Sequence, residues 1–517
     1  MSSIDPDTSI KDNSVTNAAA GPAQFPNWLL QQVRERPQAL AALDRNEKLT
    51  FEALYRQADK VARKLAAANI EPGKRVAVLM GSGLPFVVTV HALMQLRAVL
   101  VPLNLRLTPA ELSWQLADVQ ADLLLADATH AEVGQAIAEA VPGLPCLVSL
   151  EELPEADYTP APYYNPDDLH TIIYSSGTTG KPKGVRLLYR NHFYNASGSA
   201  QNLPAGPDDL WLAVLPLFHV GGLSIILRGL FYGMPLLVHE SFNPAEVNRA
   251  LDEQGVTIIS VVANMLARML DERQDRPYPP TFRAMLVGGG PVPAPLLERC
   301  ARSGIPVIQT YGMTETASQA VTLAPQDALR KLGSAGLPLP GVELRLELGG
   351  EAANGLEQEG VGEILLRGPS ITPGYDGRPE ETARAWREGW FHTGDLGRLD
   401  AEGYLYVVDR RNDLIISGGE NVYPAEVEAV LLGHPGVEEA GVIGIPDPRW
   451  GQVVMAFIKP RPGAKLDEAE IKEYCAAQLA RYKVPSVVRF TGENLPRNAA
   501  GKLLRRVLRT DYMKTSY

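Results

Sequence analysis

The residues best equipped for chemistry lie in a short run over positions 174–184, YSSGTTGKPKG, directly after the apolar stretch 171–173. Ser175, Ser176, Thr178 and Thr179 supply hydroxyls, Gly177, Gly180 and Gly184 bare the backbone N–H groups, and Lys181 and Lys183 supply positive charge. Together these are the means of holding a polyphosphate. By composition alone the run would serve equally as a Gly/Ser/Thr surface turn. It is not a Walker A loop, because the glycines precede Lys181 as G-x-x-G-K and Pro182 stands where that motif places the Ser or Thr that meets Mg²⁺.

Further groups recur at the ends of expected strands. Gly81, Ser82 and Gly83 follow a strand but lack the third glycine of a dinucleotide fingerprint, Phe86 standing there, so they read as a strand-to-helix turn. Gly288, Gly289, Gly290 and Pro291 follow an expected strand at 284–287, and glycines there form either a tight turn or a floor on which a flat ligand lies. The run 311–316, YGMTET, places Tyr311, Gly312, Met313, Thr314 and Glu315 at the C-terminal end of an expected strand at 306–309, the edge where open α/β sheets bind ligands. Glu315 is either a solvated charge or an oxygen ligand for Mg²⁺. In WFHTGD, 390–395, Asp395 suits vicinal ribose hydroxyls, although read alone it fits a turn cap better. The run SGGENVYPAEVE, 417–428, joins a Gly418-Gly419 turn to Pro424 at a helix start, with Glu426 and Glu428 favourable to the helix dipole. Lys502 closes a polar Gly-containing loop, PRNAAGK, and read alone is a solvated lysine.

The elements that must position these groups are βα units. Strand-length apolar runs at 75–80, 98–102, 236–239, 257–262 and 284–287 alternate with helix-length stretches at 86–96, 244–254 and 263–272, which predicts an α/β protein with largely parallel sheets. From Gly341 the texture changes to short strands and turns, VELRLE, GEILLRG and GYLYVVD, which suit antiparallel hairpins in a β-rich subdomain. A charged stretch at 410–413 precedes a fresh α+β pattern, giving an expected disordered lead-in over 1–20, a large N-terminal domain over 21–410 and a small mobile C-terminal domain over 411–517.

The 517 residues, 45% hydrophobic and 21% charged, describe a globular protein with ample core. Lys+Arg 49 against Asp+Glu 60 gives a net charge of −11, so no global field attracts a polyanion; nucleic acid is not expected as a partner, and phosphate must be met by local charges. Cys146, Cys300 and Cys475 are too scattered for a zinc site or a disulfide framework, which fits a reducing cytoplasm. The N-terminus has neither the basic nor the apolar region of a targeting peptide. The apolar stretch 210–238 is broken by Pro216, His219, Arg228 and Pro235, so it reads as strand, loop and helix rather than a membrane span.

In this order the motifs resemble the adenylate-forming superfamily of acyl-CoA synthetases, peptide-synthetase adenylation domains and luciferases, over about Phe25 to Leu508. That resemblance implies an enzyme that joins a carboxylic acid to the α-phosphate of ATP and passes the acyl group to a thiol, with ATP, Mg²⁺ and coenzyme A as co-reactants. It implies that Ser175 through Lys183 cover the β- and γ-phosphates, with Ser175 where Thr is commoner. It further implies that Gly288 to Pro291, Tyr311 and Gly312 hold the adenine, Thr314 the α-phosphate, Glu315 the Mg²⁺, and Asp395 with Arg410 the ribose. Lys502 resembles the lysine that bridges carboxylate and α-phosphate. Asn412 matches a hinge that is often Asp or Lys, and Gly418, Gly419 and Trp450 match a pantetheine tunnel. His219, Gly288, Met313 and Ser318 are implied for the acyl pocket. The segments around LPLFHVGGLS, GGGPVP and YGMTETASQ resemble the branch that activates o-succinylbenzoate, which implies that acid over another aryl or fatty acid. A stand-alone enzyme loading a separate carrier protein would share the first step, and a homo-oligomer is compatible with the sequence.

Overall fold

The computed structural model describes residues 24–515 apart from 152, 176–181, 275, 290, 291, 293, 349, 350, 354–359, 361, 410–414, 423, 497–502 and 504. The expected βα alternation is present and builds two sheets. A six-stranded sheet runs, in spatial order, Lys183–Leu188, Leu169–Ser175, Val99–Pro102, Arg75–Leu79, Leu123–Ala126 and Cys146–Leu147; it is parallel except for the antiparallel pair of Leu169–Ser175 with Lys183–Leu188. A nine-stranded sheet has Val307–Met313, Ala284–Gly288, Ile258–Val262, Trp211–Ala213, Leu236–Val238 and Leu40–Leu43 parallel at its centre. Strands buried on both faces read as unbroken apolar runs, which is why LLLA at 123–126 and IISVV at 258–262 show no alternation.

One hydrophobic cluster joins the two sheets through the helices between them, taking in Val76 and Leu100 from one, Trp211, Ile258 and Ile308 from the other, and Leu54, Val87 and Leu227 from the intervening helices. The helix Leu84–Leu96 is apolar all round and buried along nearly its whole length, as a helix enclosed on every side must be. The helix Val220–Tyr232 is likewise buried, so the apolar stretch at 210–238 is the expected strand, loop and helix. No helix of the described residues is long and apolar enough to cross a membrane.

The β-rich subdomain is an antiparallel sheet containing Glu343–Leu348, Gly362–Arg367, Trp390–Leu399 and Leu405–Asp409. Beyond it a five-stranded sheet of Glu420–Val422, Ile415–Ser417, Gly451–Pro460, Val437–Asp447 and Val487–Phe490 packs on the helices Pro424–Gly433 and Glu468–Ala476 around its own core of Val427, Leu431, Val442, Ile458 and Ile471. The boundary expected at 410 and 411 lies outside the described residues.

Two expectations need correction. The strand expected at 306–309 runs on as Val307–Met313, because Ser318–Thr322 folds back antiparallel and pairs Tyr311 with Val321; Tyr311, Gly312 and Met313 therefore sit in the ladder, not beyond it. Asp395 is not a turn cap but an in-strand residue of Trp390–Leu399, in a ladder whose register shifts between Glu363 and Leu365 and in which Gly394 takes φ 74°.

Three fully buried histidines, His91, His170 and His192, sit in this core, and burial lowers their affinity for a proton: the ring is held at about 4 for His91, at about 3 for His192 and well below the ordinary value for His170. The unfolded chain takes up these protons near pH ~6.5 while the native chain does not, so stability is lost as pH falls below that value. The thermal midpoint should therefore drop steeply between pH 6.5 and 5, with His91 alone costing roughly 2 kcal/mol at pH 5. His91→Leu should flatten the profile, read by melting curves across that range.

Candidate active site

The C-terminal ends of the strands Leu169–Ser175, Ile258–Val262, Ala284–Gly288 and Val307–Met313 open on one cleft of about 1810 Å³, and the segments carrying Asp395 and Gly418-Gly419 complete its wall. Ser175, Lys183, His219, Gly288, Gly289, Gly312, Met313, Thr314, Glu315, Ser318, Asp395, Gly418, Gly419 and Trp450 all line it. Tyr311 is buried behind it, its hydroxyl donating to Asp395. Ser176, Gly177, Thr178, Thr179, Gly180, Lys181, Gly290, Pro291, Arg410, Asn412 and Lys502 lie outside the described residues.

Glu315 is 6% exposed. It sits on the short 3₁₀ turn Thr314–Thr316 that ends the long strand, and its backbone carbonyl accepts from the Thr372 N–H at 2.8 Å. Its carboxylate accepts from Ser175 Oγ at 3.3 Å and Tyr375 Oη at 3.2 Å, both neutral donors. Burial pushes its pKa up against those hydrogen bonds, and among the described residues no cation pairs with it. A buried carboxylate held by neutral donors, a backbone N–H and two hydroxyls, and lining a cleft, is a donor set that fits a hard divalent cation. The Lys183 ammonium lies 5.0 Å from the centre of the Tyr375 ring. Tyr375 was not read from the sequence, since nothing around it marks a site.

Asp395 accepts a hydrogen bond from Tyr311 Oη at 2.8 Å. Its backbone is pinned by Thr393 Oγ1, which accepts from the Asp395 N–H at 3.0 Å and donates to the Ile364 carbonyl at 2.8 Å, while Glu363 accepts from the Gly394 N–H at 2.8 Å. Nearby, Gly312 is obligatory: a Cβ there would lie 1.7 Å from the Ser318 carbonyl oxygen, so the floor of the cleft is bare backbone.

On the opposite side the hairpin between Ile415–Ser417 and Glu420–Val422 turns through Gly418 at φ 59° and Gly419 at φ 86°, the two left-handed residues a tight hairpin demands. The turn is pressed against the cleft. A Cβ on Gly418 would meet the Trp450 ring at 2.7 Å, and one on Gly419 would touch Val262 at 3.5 Å. The next residue, Glu420, is buried and faces Arg106 and His219, with His219 Nε2 at 3.5 Å. Burial alone would raise the Glu420 carboxyl, but His219 and Arg106 outweigh it and hold it below the usual range. His219 is therefore no core histidine; its side chain is 43% exposed, tilted against Phe218 at 4.5 Å and turned towards the hairpin.

The deep end of the cleft holds a residue to which no role was assigned from the sequence. Arg228, on Val220–Tyr232, is 1% exposed and lines the cleft together with Ser260, Ser318 and Gln319. Its Nη2 donates to Asn195 Oδ1 at 2.9 Å, its guanidinium stands 5.6 Å from the Trp211 ring centre, and among the described residues its Nε has no hydrogen-bond partner. No carboxylate pairs with it among the described residues, and burial lowers its pKa. A buried cation with an unused donor calls for an anion from outside the chain. The signal was an arginine in an otherwise apolar helix, which had served only as an argument against a membrane span.

The chain matches a family model described as AMP-binding enzyme over residues 29–376 and one described as AMP-binding enzyme C-terminal domain over 426–502. It is 50% identical over 494 residues to a 2-succinylbenzoate–CoA ligase of Geobacillus kaustophilus, which covers 95% of this chain and 99% of that one. Among solved structures it is similar to o-succinylbenzoate CoA synthetase from Bacillus subtilis in two forms. A double mutant bound with its product analogue gives a TM-score of 0.89 at 40% identity, covering 94% of this chain and 99% of that one. The complex with ATP and magnesium ion gives 0.72 at 40% identity, covering 94% and 100%.

Tyr375→Phe removes one of the donors that hold Glu315. It should raise the Mg²⁺ concentration needed for half-maximal nucleotide-dependent thermal stabilisation by about threefold to tenfold, the net worth of one ordinary hydrogen bond. The melting midpoint without ligand should stay unchanged, and Mg²⁺ titration by thermal shift checks both.

Proposed function

The chain belongs to the AMP-binding enzyme family, and from that premise we propose that it is an AMP-forming ligase that activates 2-succinylbenzoate with ATP and transfers the acyl group to coenzyme A. The succinyl carboxylate attacks the α-phosphate of ATP, pyrophosphate leaves, and the acyl-adenylate is then attacked by the CoA thiol with loss of AMP. This places the chain in menaquinone biosynthesis.

The observation that carries the substrate is Arg228. 2-Succinylbenzoate has two carboxylates, and the one that does not react must leave water with the ring; burying it unpaired would cost several kcal/mol, roughly, and would select against the acid. A buried guanidinium with an unused donor at the deep end of the cleft is the counter-charge that such an acid needs and that a fatty acid would leave unpaired.

At the other end, two anions have to approach one another in the first step. We assign Lys181, Lys183 and Lys502 to the charge that offsets this, Thr314 to the α-phosphate, and Asp395 with Tyr311 to the nucleoside. Ser175 and Tyr375 hold the Glu315 carboxylate in place for Mg²⁺, which when bound would draw charge from the phosphates. Ribose hydroxyls can donate to Asp395, whose backbone is fixed beforehand by Thr393 and Glu363.

The second step needs a path for a thin thiol arm. The Gly418-Gly419 turn beside Trp450 supplies it, since neither glycine has a side chain to obstruct the approach to Val262 and the cleft floor. The closer likeness to the product-analogue complex than to the ATP complex supports reading the present arrangement as the thioester-forming one. We place the enzyme in the cytoplasm, where ATP and CoA are at hand and the thiols of Cys146, Cys300 and Cys475 remain free.

Arg228→Met should lower kcat/KM for 2-succinylbenzoate by about 100-fold, yet leave 4-oxo-4-phenylbutanoate, which lacks the ring carboxylate, within a factor of about three. A steady-state panel of both acids with a medium-chain fatty acid checks this; a fatty acid favoured by the wild type would refute the substrate. Lys502→Ala and Gly419→Leu should separate the half-reactions, the first losing adenylation by about 100-fold or more and the second losing thioester formation from supplied acyl-adenylate by a similar factor.

A further inference from the structure

Away from the reacting atoms, a strip of the N-terminal part at 104–111 lies against a strip of the C-terminal part at 478–483. Asn104 Nδ2 reaches Tyr482 Oη at 3.5 Å, Thr108 Oγ1 reaches the Gln478 carbonyl at 3.4 Å, and Lys483 Nζ reaches Glu111 Oε1 at 2.9 Å. The last contact is unlike the surface pairs elsewhere in the molecule. The Lys483 side chain is 4% exposed, and its ammonium also meets Glu426 Oε1 at 2.7 Å. Glu426 Oε2 is buried and has no hydrogen-bond partner among the described residues, and burial pushes that carboxyl up.

The three groups are unequally divided. Lys483 and Glu426 belong to the same small unit and travel together, whereas Glu111 stands on the helix Pro109–Asp118. Glu111 also completes a capping box: its Oε2 accepts from the Thr108 N–H at 2.8 Å and Thr108 Oγ1 at 2.9 Å, and the Glu111 N–H donates to Thr108 Oγ1 at 3.3 Å. If the two units part, neither charge is orphaned, because Lys483 keeps Glu426 and Glu111 keeps its cap. At this contact separation therefore costs one charge-assisted hydrogen bond rather than a stranded buried ion. A contact of that size biases an equilibrium without freezing it.

We propose that Glu111, Lys483 and Glu426 form a releasable latch that holds the small unit with its Gly418-Gly419 turn against the cleft, making Lys483 a positioning residue for thioester formation and not for adenylation. This rests on the two-step reading above.

The discriminating variant is Glu111→Gln in the full chain, because glutamine serves equally as the third residue of a capping box and leaves the helix start intact. Thioester formation from chemically prepared succinylbenzoyl-adenylate and CoA should fall by about tenfold, while single-turnover adenylation stays within about twofold. Lys483→Met should show the same split, and adding Glu111→Gln to it should cost nothing more, since the contact is already lost. Equal loss in both half-reactions, no loss in thioester formation, or losses that multiply in the double variant would overturn the latch. Amide hydrogen exchange gives a readout independent of any substrate: the 478–483 strip should exchange about fivefold faster in Glu111→Gln than in the wild type at the same melting midpoint. Unchanged exchange would refute the latch even if the enzyme proved to act on another acid, whereas accelerated exchange with an inactive wild type would refute only the functional reading.

Discussion

A carboxylate or phosphate that leaves water must be met by opposite charge or by donors already in place, and in a chain of net charge −11 that compensation has to be local. The cleft is arranged around this constraint. Its deep end holds Arg228 with an unused Nε, and its side towards the subdomain holds Asp395 with Tyr311. Between them Glu315 carries the reverse problem, a buried negative charge steadied by neutral donors, the Ser175 and Tyr375 hydroxyls among them. The charges that meet the substrates are thus distributed along the cleft, each supported by neutral hydrogen bonds from a second segment. The sheets matter because they bring those segments to one edge.

The same constraint explains why the small C-terminal unit is bound to the rest by ions as well as by packing. Arg106 and His219 converge on Glu420, and Glu111 meets Lys483. A purely apolar seam would hold more firmly but would expose its surface whenever the units parted. Ion pairs with a second partner at hand can be exchanged for water or for each other at modest cost. On the two-step reading proposed above, a unit that presents the Gly418-Gly419 turn for thioester formation benefits from such a seam.

Much of this was legible in the sequence where the signal is local. Apolar runs alternating with amphipathic helices gave the strands and helices within a few residues, as at 75–80 against Arg75–Leu79 and 244–254 against Pro244–Glu253. Glycine and hydroxyl clusters at strand ends marked the cleft. What was missed depends on pairing between distant segments. That Tyr311 and Asp395 lie within strands was not legible, because the strands that extend the ladder over them, Ser318–Thr322 and Gly362–Arg367, are set by tertiary packing. Glu426 was read as a helix-dipole residue, which its place in the first turn allows, yet its carboxylate is engaged by Lys483, 57 positions away. Arg228 looked like a mere interruption of an apolar stretch, because its meaning lies in the absence of a carboxylate around it.

The central claim, a carboxylate activated as an adenylate before any thiol takes part, is tested most directly by counting pyrophosphate in a single rapid-mixing experiment. Wild-type chain mixed with excess ATP, Mg²⁺ and 2-succinylbenzoate but no CoA should release about one equivalent of pyrophosphate per chain in a burst and then nearly stop, with steady release beginning on addition of CoA. No pyrophosphate before CoA is added would contradict the account.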